Sequence, residues 1–302
     1  MLIILVILCA LELGARFLYP FEKCGVLRGC PQGFNLPDTD YGYKPGPNTV
    51  AQAVKQGLDG KLIYSVTYST DEFSRRVTPA INEESADRFL IFFGCSFTFG
   101  EGLQDNQTLP YHVGHLAPCY TSYNYGHSGY GPQQMLVRLQ DPDFAKQIKQ
   151  ANGIMIYGPA HVARAIGTYY ASTNWAKDFP FYYLDKEKNL VRDGNFQTGR
   201  PWRSAIYSAI SHVRLLDIFF RRYGYPRKFS KKDIEVTARI IEESFKLFNT
   251  KFPDSRAYFM LLPGVDYSDQ AVAELLRKAG IPILDFSSRQ EFQGDGFVIT
   301  ND

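Results

Sequence analysis

The sequence is poor in the features that would name a specialised class at once. Five cysteines in 302 residues form no framework of closely spaced pairs. A disulfide-stapled scaffold is thereby excluded, and a chain of this length buries a sizeable core without staples. Charge of one sign is also missing. Thirty-three basic residues against 31 acidic ones leave +2, with no long like-charge block, which argues against a dedicated nucleic-acid binder. The small clusters at Arg221-Arg222 to Lys228 and at Lys231-Lys232 read as solvated surface. Internal repeats and low-complexity tracts are absent. Cys24 and Cys30 lie in a Gly/Pro-rich stretch without a paired histidine, which suits a small disulfide loop and not zinc. No metal and no cofactor is called for. Only one uninterrupted apolar run exists, Leu2 to Leu11, and that excludes a polytopic membrane protein. What the chain does have is 45% hydrophobic and 15% aromatic content, enough for one large domain or two small ones and far too much for disorder.

The ten apolar residues from Leu2 match the length of an export-signal core and fall short of the roughly 20 that span a bilayer. Glu12 and Arg16 are spaced to pair on one helix face, and Phe17 and Tyr19 follow as interfacial anchors. Residues 1–19 are therefore expected to form a signal-anchor or transmembrane segment, with a buried core helix as the alternative. That expectation places the protein in the cell envelope, membrane-anchored, with its main domain outside the cytoplasm.

Residues 20–86 are rich in Pro, Gly, Asn and Asp and read as a loop-rich lead-in, strand-like only at Lys61 to Thr70. From residue 87 the texture alternates. Arg88 to Gly94, Tyr120 to Tyr125, Gly153 to Tyr157, Ala257 to Leu262 and Ile281 to Leu284 read as strands. Helical stretches separate them, one broken at Asp141-Pro142 and one ended by Gly280. The expected fold is α/β, a three-layer α/β/α sandwich on a mostly parallel sheet. Residues 162–256 form a long insertion with a hairpin about Asp185-Lys-Glu-Lys188 and helices over Ser204 to Arg221 and Lys232 to Phe248.

Chemistry is concentrated in two segments. In Phe89-Leu-Ile-Phe-Phe-Gly-Cys-Ser-Phe-Thr-Phe-Gly100 an apolar strand delivers Ser96 at its carboxyl end, where open α/β sheets place ligands. Gly94 leaves room for the sharp turn, although Thr98 replaces the second glycine of a Gly-x-Ser-x-Gly elbow. Ser96 is the candidate nucleophile. The second segment, Tyr123 to Gln134, also follows a strand, and its Gly126, Gly129 and Gly131 make a loop able to present a backbone N–H to an oxyanion.

Together Gly94-Cys-Ser-Phe-Thr-Phe-Gly100 and Asn124-Tyr-Gly-His-Ser-Gly-Tyr-Gly131 resemble the first two motifs of the SGNH (GDSL-like) hydrolase superfamily, closest to bacterial envelope members with an N-terminal membrane segment. The resemblance extends to Ser69-Thr-Asp-Glu-Phe-Ser-Arg75 in the lead-in. It implies a flavodoxin-like sandwich and a serine esterase or O-acyltransferase. The expected partners are an ester or O-acylated envelope glycan and, through the anchor, the membrane. Oxyanion donors would be the N–H groups of Ser96 and Gly129. Three departures stand out. Cys95 replaces the usual Asp. Ala160, in Gly158-Pro-Ala-His161, stands where an Asn amide is expected, so that donor is missing or supplied by His161. The base, a histidine shortly after an Asp near the C-terminus, would follow Asp302, and no histidine does. Either the sequence stops short of the base, or His127 or His161 substitutes, or the domain is inactive and binds a glycan or partner protein.

Overall fold

A computed structural model describes residues 2–19, 33–57, 60–79, 86–264 and 266–288, with the side chains of residues 2–6 and 8 excepted. Cys24, Cys30 and Asp302 lie outside the described residues. The chain opens with helix α1 (Leu2–Leu18). Two antiparallel hairpins follow, β1 (Asn35–Asp38) with β2 (Gly42–Pro45) and β3 (Val50–Gln56) with β4 (Leu62–Ser69). Only β4 shows in the residue pattern. The other three carry Pro, Gly, Gln and Lys, and they exist because their backbones pair and Tyr41, Tyr43 and Ala53 are buried.

The main sheet is wholly parallel. Its strands are β5 (Arg88–Phe93), β6 (Tyr120–Asn124) and β7 (Asn152–Tyr157), followed after the insertion by β10 (Arg256–Leu261) and β11 (Ile283–Asp285). Between them run α2 (Ser96–Phe99), α3 (Leu109–Leu116) and α4 (Pro132–Gln140), then α5 (Val162–Ala165) and α6 (Tyr169–Asn174). The hairpin β8 (Pro180–Leu184) and β9 (Leu190–Asn195) precedes α7 (Phe196–Gly199), α8 (Pro201–His212) and α9 (Arg214–Tyr223). Helix α10 (Lys231–Lys251) leads into β10, and α11 (Tyr267–Lys278) joins β10 to β11. The spatial order is β11-β10-β7-β5-β6, the flavodoxin-like arrangement expected from the sequence.

Strand β5 reads Arg-Phe-Leu-Ile-Phe-Phe and is buried after its first residue, as a central parallel strand covered on both faces must be. Phe89 meets Phe248 and Phe252 edge-on at 6.1 and 4.9 Å, so α10 closes the same core as the sheet. Helix α10 starts on a capping box, Ser230 Oγ accepting the Asp233 N–H while the Asp233 carboxylate accepts the Ser230 N–H. At Gly153 a Cβ would lie 2.0 Å from the Phe89 carbonyl, which is why a glycine opens the apolar part of β7.

Two expectations change. The helix read as continuous from Ser204 to Arg221 is two helices with an elbow at Val213. Its cause is distant in sequence: Glu12 accepts the N–H groups of Arg214 (2.7 Å) and Leu215 (3.0 Å) and so caps α9. The membrane-spanning reading of residues 1–19 is not supported, because among the described residues no helix is long and apolar enough to cross a membrane. Glu12 and Arg16 interrupt the apolar run, pair with each other at 2.8 Å, and tie α1 to the α8–α9 elbow.

Candidate active site

In this strand order the connection from β5 runs to β6 on one side and the connection from β7 runs to β10 on the other, which makes the carboxyl ends of β5 and β7 the topological switch point. Ser96 stands there, half-buried, as the first residue of the single-turn α2. Cys95, by contrast, is fully buried and extended, with its thiol in the interior. The residue order Cys-Ser at a strand end therefore exposes the hydroxyl and hides the thiol.

The turn is built around Thr98. A Cβ on Gly94 would lie 2.1 Å from Thr98 Oγ1 and 2.9 Å from the Gly158 carbonyl. A Cβ on Gly126 would lie 2.6 Å from Thr98 Cβ and 2.7 Å from the Phe99 nitrogen. The glycine missing at position 98 is thus compensated on either side: Gly94 and Gly126 give up their side-chain space, and threonine fills it. The same close approach brings β5 against the Gly158 end of β7.

The loop that carries Gly129 is stitched to this turn at three points. The His127 N–H donates to the Gly94 carbonyl (3.2 Å), Asn124 Nδ2 donates to the Thr98 carbonyl (2.9 Å), and Ser128 Oγ donates to Glu101 (2.7 Å). Asn124 also accepts the Gly126 N–H at 3.0 Å, so one buried amide sets both segments. Gly129 has φ +83°, and a Cβ there would meet Tyr43 Oη at 2.2 Å and the Trp175 ring at 3.1 Å. It is buried, and the Trp175 indole N–H donates to its carbonyl at 3.2 Å. Tyr43 Oη donates to the Ser128 carbonyl at 2.8 Å, so a lead-in strand holds the loop from outside.

Of the two histidines at this end of the sheet, His127 is unsuited to proton transfer. It is fully buried, ringed by Phe99, Tyr43 and Tyr130, and bonded through Nε2 to Asn35 Oδ1 at 2.7 Å. Burial pushes its pKa down to about 3. It is a neutral core histidine, and the alternative that made it the base is corrected.

His161 follows β7 in the left-handed region (φ 55°). Arg164 Nη1 approaches its Nε2 at 3.3 Å. A guanidinium only donates, so Nε2 is the acceptor and the ring proton sits on Nδ1. Burial and then the Arg164 charge push its pKa well below the ordinary histidine value. His161 is therefore a neutral imidazole with one N–H to offer.

Ala160 is fully buried and has no amide to contribute. Its own N–H donates to Asp269 Oδ1 at 2.8 Å, and the His161 N–H reaches the same carboxylate. Asp269, on the first turn of α11, is a residue that the sequence pattern did not single out. Burial, with the neighbouring charge of Asp266, raises its pKa from 3.8 to about 6. Between those values the folded state binds the proton that the unfolded state has released, so stability falls as pH rises through that window. Asp269→Asn keeps an acceptor for both N–H groups and removes the charge. It is expected to match the wild type near pH 4 and to exceed it by about 1–2 kcal/mol near pH 8. Urea unfolding at the two pH values checks this. An equal change at both would show that the carboxylate's charge is not the cause.

Solved structures with a related outline include lipolytic proteins of the G-D-S-L family and acetylxylan esterases. A member of the lipolytic protein G-D-S-L family from Veillonella parvula is 14% identical, with 66% of this chain and 78% of that one aligned at a TM-score of 0.34. An acetylxylan esterase from Geobacillus stearothermophilus is 11% identical over 74% and 86%, at 0.35. Another from Butyrivibrio proteoclasticus is 10% identical over 80% and 76%, also at 0.35. No family model matches the chain, and no curated protein matches it. The architecture rests on the strand order itself.

Proposed function

We propose that the protein is a serine-dependent acyl-transfer enzyme acting on esters. One observation supports this reading most: Ser96 stands half-exposed at the switch point, on a turn bound at three points to the loop of Gly129. In the proposed reaction Ser96 Oγ attacks the ester carbonyl and gives its proton to a base. The tetrahedral oxyanion is held by backbone N–H groups, and the alcohol leaves with that proton as the acyl-Ser96 forms. Water then releases the acid, or a sugar hydroxyl takes the acyl group. The N–H groups of Ser96 and Gly129 serve as donors. His161 takes the place of the absent Asn amide, since a neutral imidazole can donate a hydrogen bond to developing negative charge. An O-acylated envelope glycan is the proposed substrate. Of the tyrosines suited to stack on sugars, Tyr169 and Tyr182 are buried in the core, which leaves Tyr170 and Tyr183 for that task.

A second reading, an inactive module that binds a glycan or a partner protein, draws on a specific feature. The backbone at Ala160 is committed to Asp269, and no histidine ring bonds Ser96 among the described residues. A fluorophosphonate probe separates the two. Peptide mass mapping is expected to find one adduct, on Ser96. Adducts elsewhere, or none, would favour the inactive module.

A further inference from the structure

Residues 200–232 hold nine lysines and arginines and a single acidic residue, Asp217. Nine minus one is +8, in a chain whose net charge is +2. Asp217 is 1% exposed and bonded to Arg214 (2.7 Å) and Arg221 (2.6 Å), so its charge does not face outward. Arg203, Arg222, Arg227 and Lys228 are exposed.

The helices between these cations are inverted relative to ordinary surface helices. On α9 the buried side chains are Arg214 and Asp217, while Leu216, Phe219 and Tyr223 are exposed along one face at i, i+3 and i+7. On α8 Trp202 and Ile206 lie exposed at i and i+4, with Val213 exposed at the elbow that follows, and Trp202 keeps 84% of its surface open. Helix α1 extends the pattern. Its Glu12 caps α9 and its Arg16 donates to the His212 carbonyl at the end of α8 (2.9 Å). With those charges turned inward, Ile7, Leu11, Phe17 and Leu18 remain exposed.

We propose that α8 and α9, with α1 docked on their elbow, form a face that lies on an anionic lipid surface. The apolar and aromatic side chains enter the headgroup region, and the arginines and lysines meet lipid phosphates. Cations with aromatics alone would also suit a nucleic acid. Exposed Ile206, Leu216, Ile7 and Leu11 have no partner on a phosphodiester backbone, and an acyl-chain boundary provides one. The face lies on the bilayer and does not cross it, and the proposal stands independently of Ser96.

The test uses the full chain with vesicles of phosphatidylcholine, alone or mixed with phosphatidylglycerol, in flotation and in tryptophan fluorescence. The protein is expected to float with the anionic vesicles, and its emission to shift to the blue. Trp202→Phe should remove most of that shift, because Trp175 is half-buried and bonded to Gly129 in the absence of lipid. The triple variant Arg222→Glu, Arg227→Glu, Lys228→Glu changes only exposed side chains. It should melt as the wild type does and partition about a hundredfold more weakly. Leu216→Ser with Phe219→Ser should also weaken flotation. Equal binding to neutral and anionic vesicles, or flotation unchanged in both variants, would overturn the proposal by leaving α1 as the only contact. Tighter binding to a labelled oligonucleotide than to anionic vesicles would overturn it in favour of nucleic acid.

Discussion

Alanine at position 96 is expected to lower the turnover of 4-nitrophenyl acetate by about 10⁴-fold or more, at an unchanged melting temperature. Stability should not suffer, because Ser96 is half-buried and its Oγ makes no hydrogen bond among the described residues. Everything that shapes the turn uses other groups: Gly94 and Gly126 make space, Thr98 fills it, and the bridging bonds come from Asn124, His127 and Ser128. Cys95→Ala is the informative companion. Its thiol is fully buried one residue away, so the variant should retain turnover within about tenfold and lose some stability to the small void. The reverse pattern, loss with Cys95→Ala and retention with Ser96→Ala, would reassign the nucleophile. Equal turnover in all three proteins would remove the acyl-Ser96 intermediate altogether.

The parallel sheet was legible because its strands are short apolar runs that end at glycine or polar residues, and because helical stretches separate them. The place of Ser96 at the end of β5 was legible for the same reason, since a residue directly after such a run has few other places to be. Non-local contacts were not. The elbow at Val213 depends on a carboxylate two hundred residues upstream, and nothing in Ser204 to Arg221 announces it. Strands β1 to β3 have weak propensity and form where Tyr41, Tyr43 and Ala53 find a surface to cover. His127 looked like a spare base in the sequence, because only the fold shows the aromatic ring around it. Asp269 sits in an ordinary helix first turn, and its role follows from a hydrogen bond to Ala160, more than a hundred residues away. The basic clusters near Arg222 and Lys228 read as plain solvated surface, since the apolar face beside them becomes visible only once α9 is seen to bury its charges.

Arg76→Met is expected to cost about 3–5 kcal/mol of folding stability, the largest loss argued from a single side chain of the lead-in. Arg76 is 2% exposed, yet it carries a full charge. Its guanidinium donates to the carbonyls of Phe99 (2.8 Å), Gly100 (2.7 Å) and Leu103, pairs with Asp105 at 3.0 Å, and stacks on the rings of Tyr68 and Phe99. Those carbonyls belong to the turn that begins at Ser96. Methionine would keep much of the apolar contact and leave the carbonyls without a donor and Asp105 without its cation. Arg76→Lys restores the charge but not the planar fork, and it should recover less than half of the loss. Its backbone N–H also donates to the Asn124 carbonyl (3.1 Å), so the residue clamps the lead-in to both halves of the site. The phosphonate reaction of Ser96 should therefore slow in Arg76→Met even at temperatures where the protein remains folded. Urea denaturation measures the first effect and labelling kinetics the second. A loss below about 1 kcal/mol, with labelling at the wild-type rate, would show that the turn holds its shape without this arginine and that the lead-in merely rests on it.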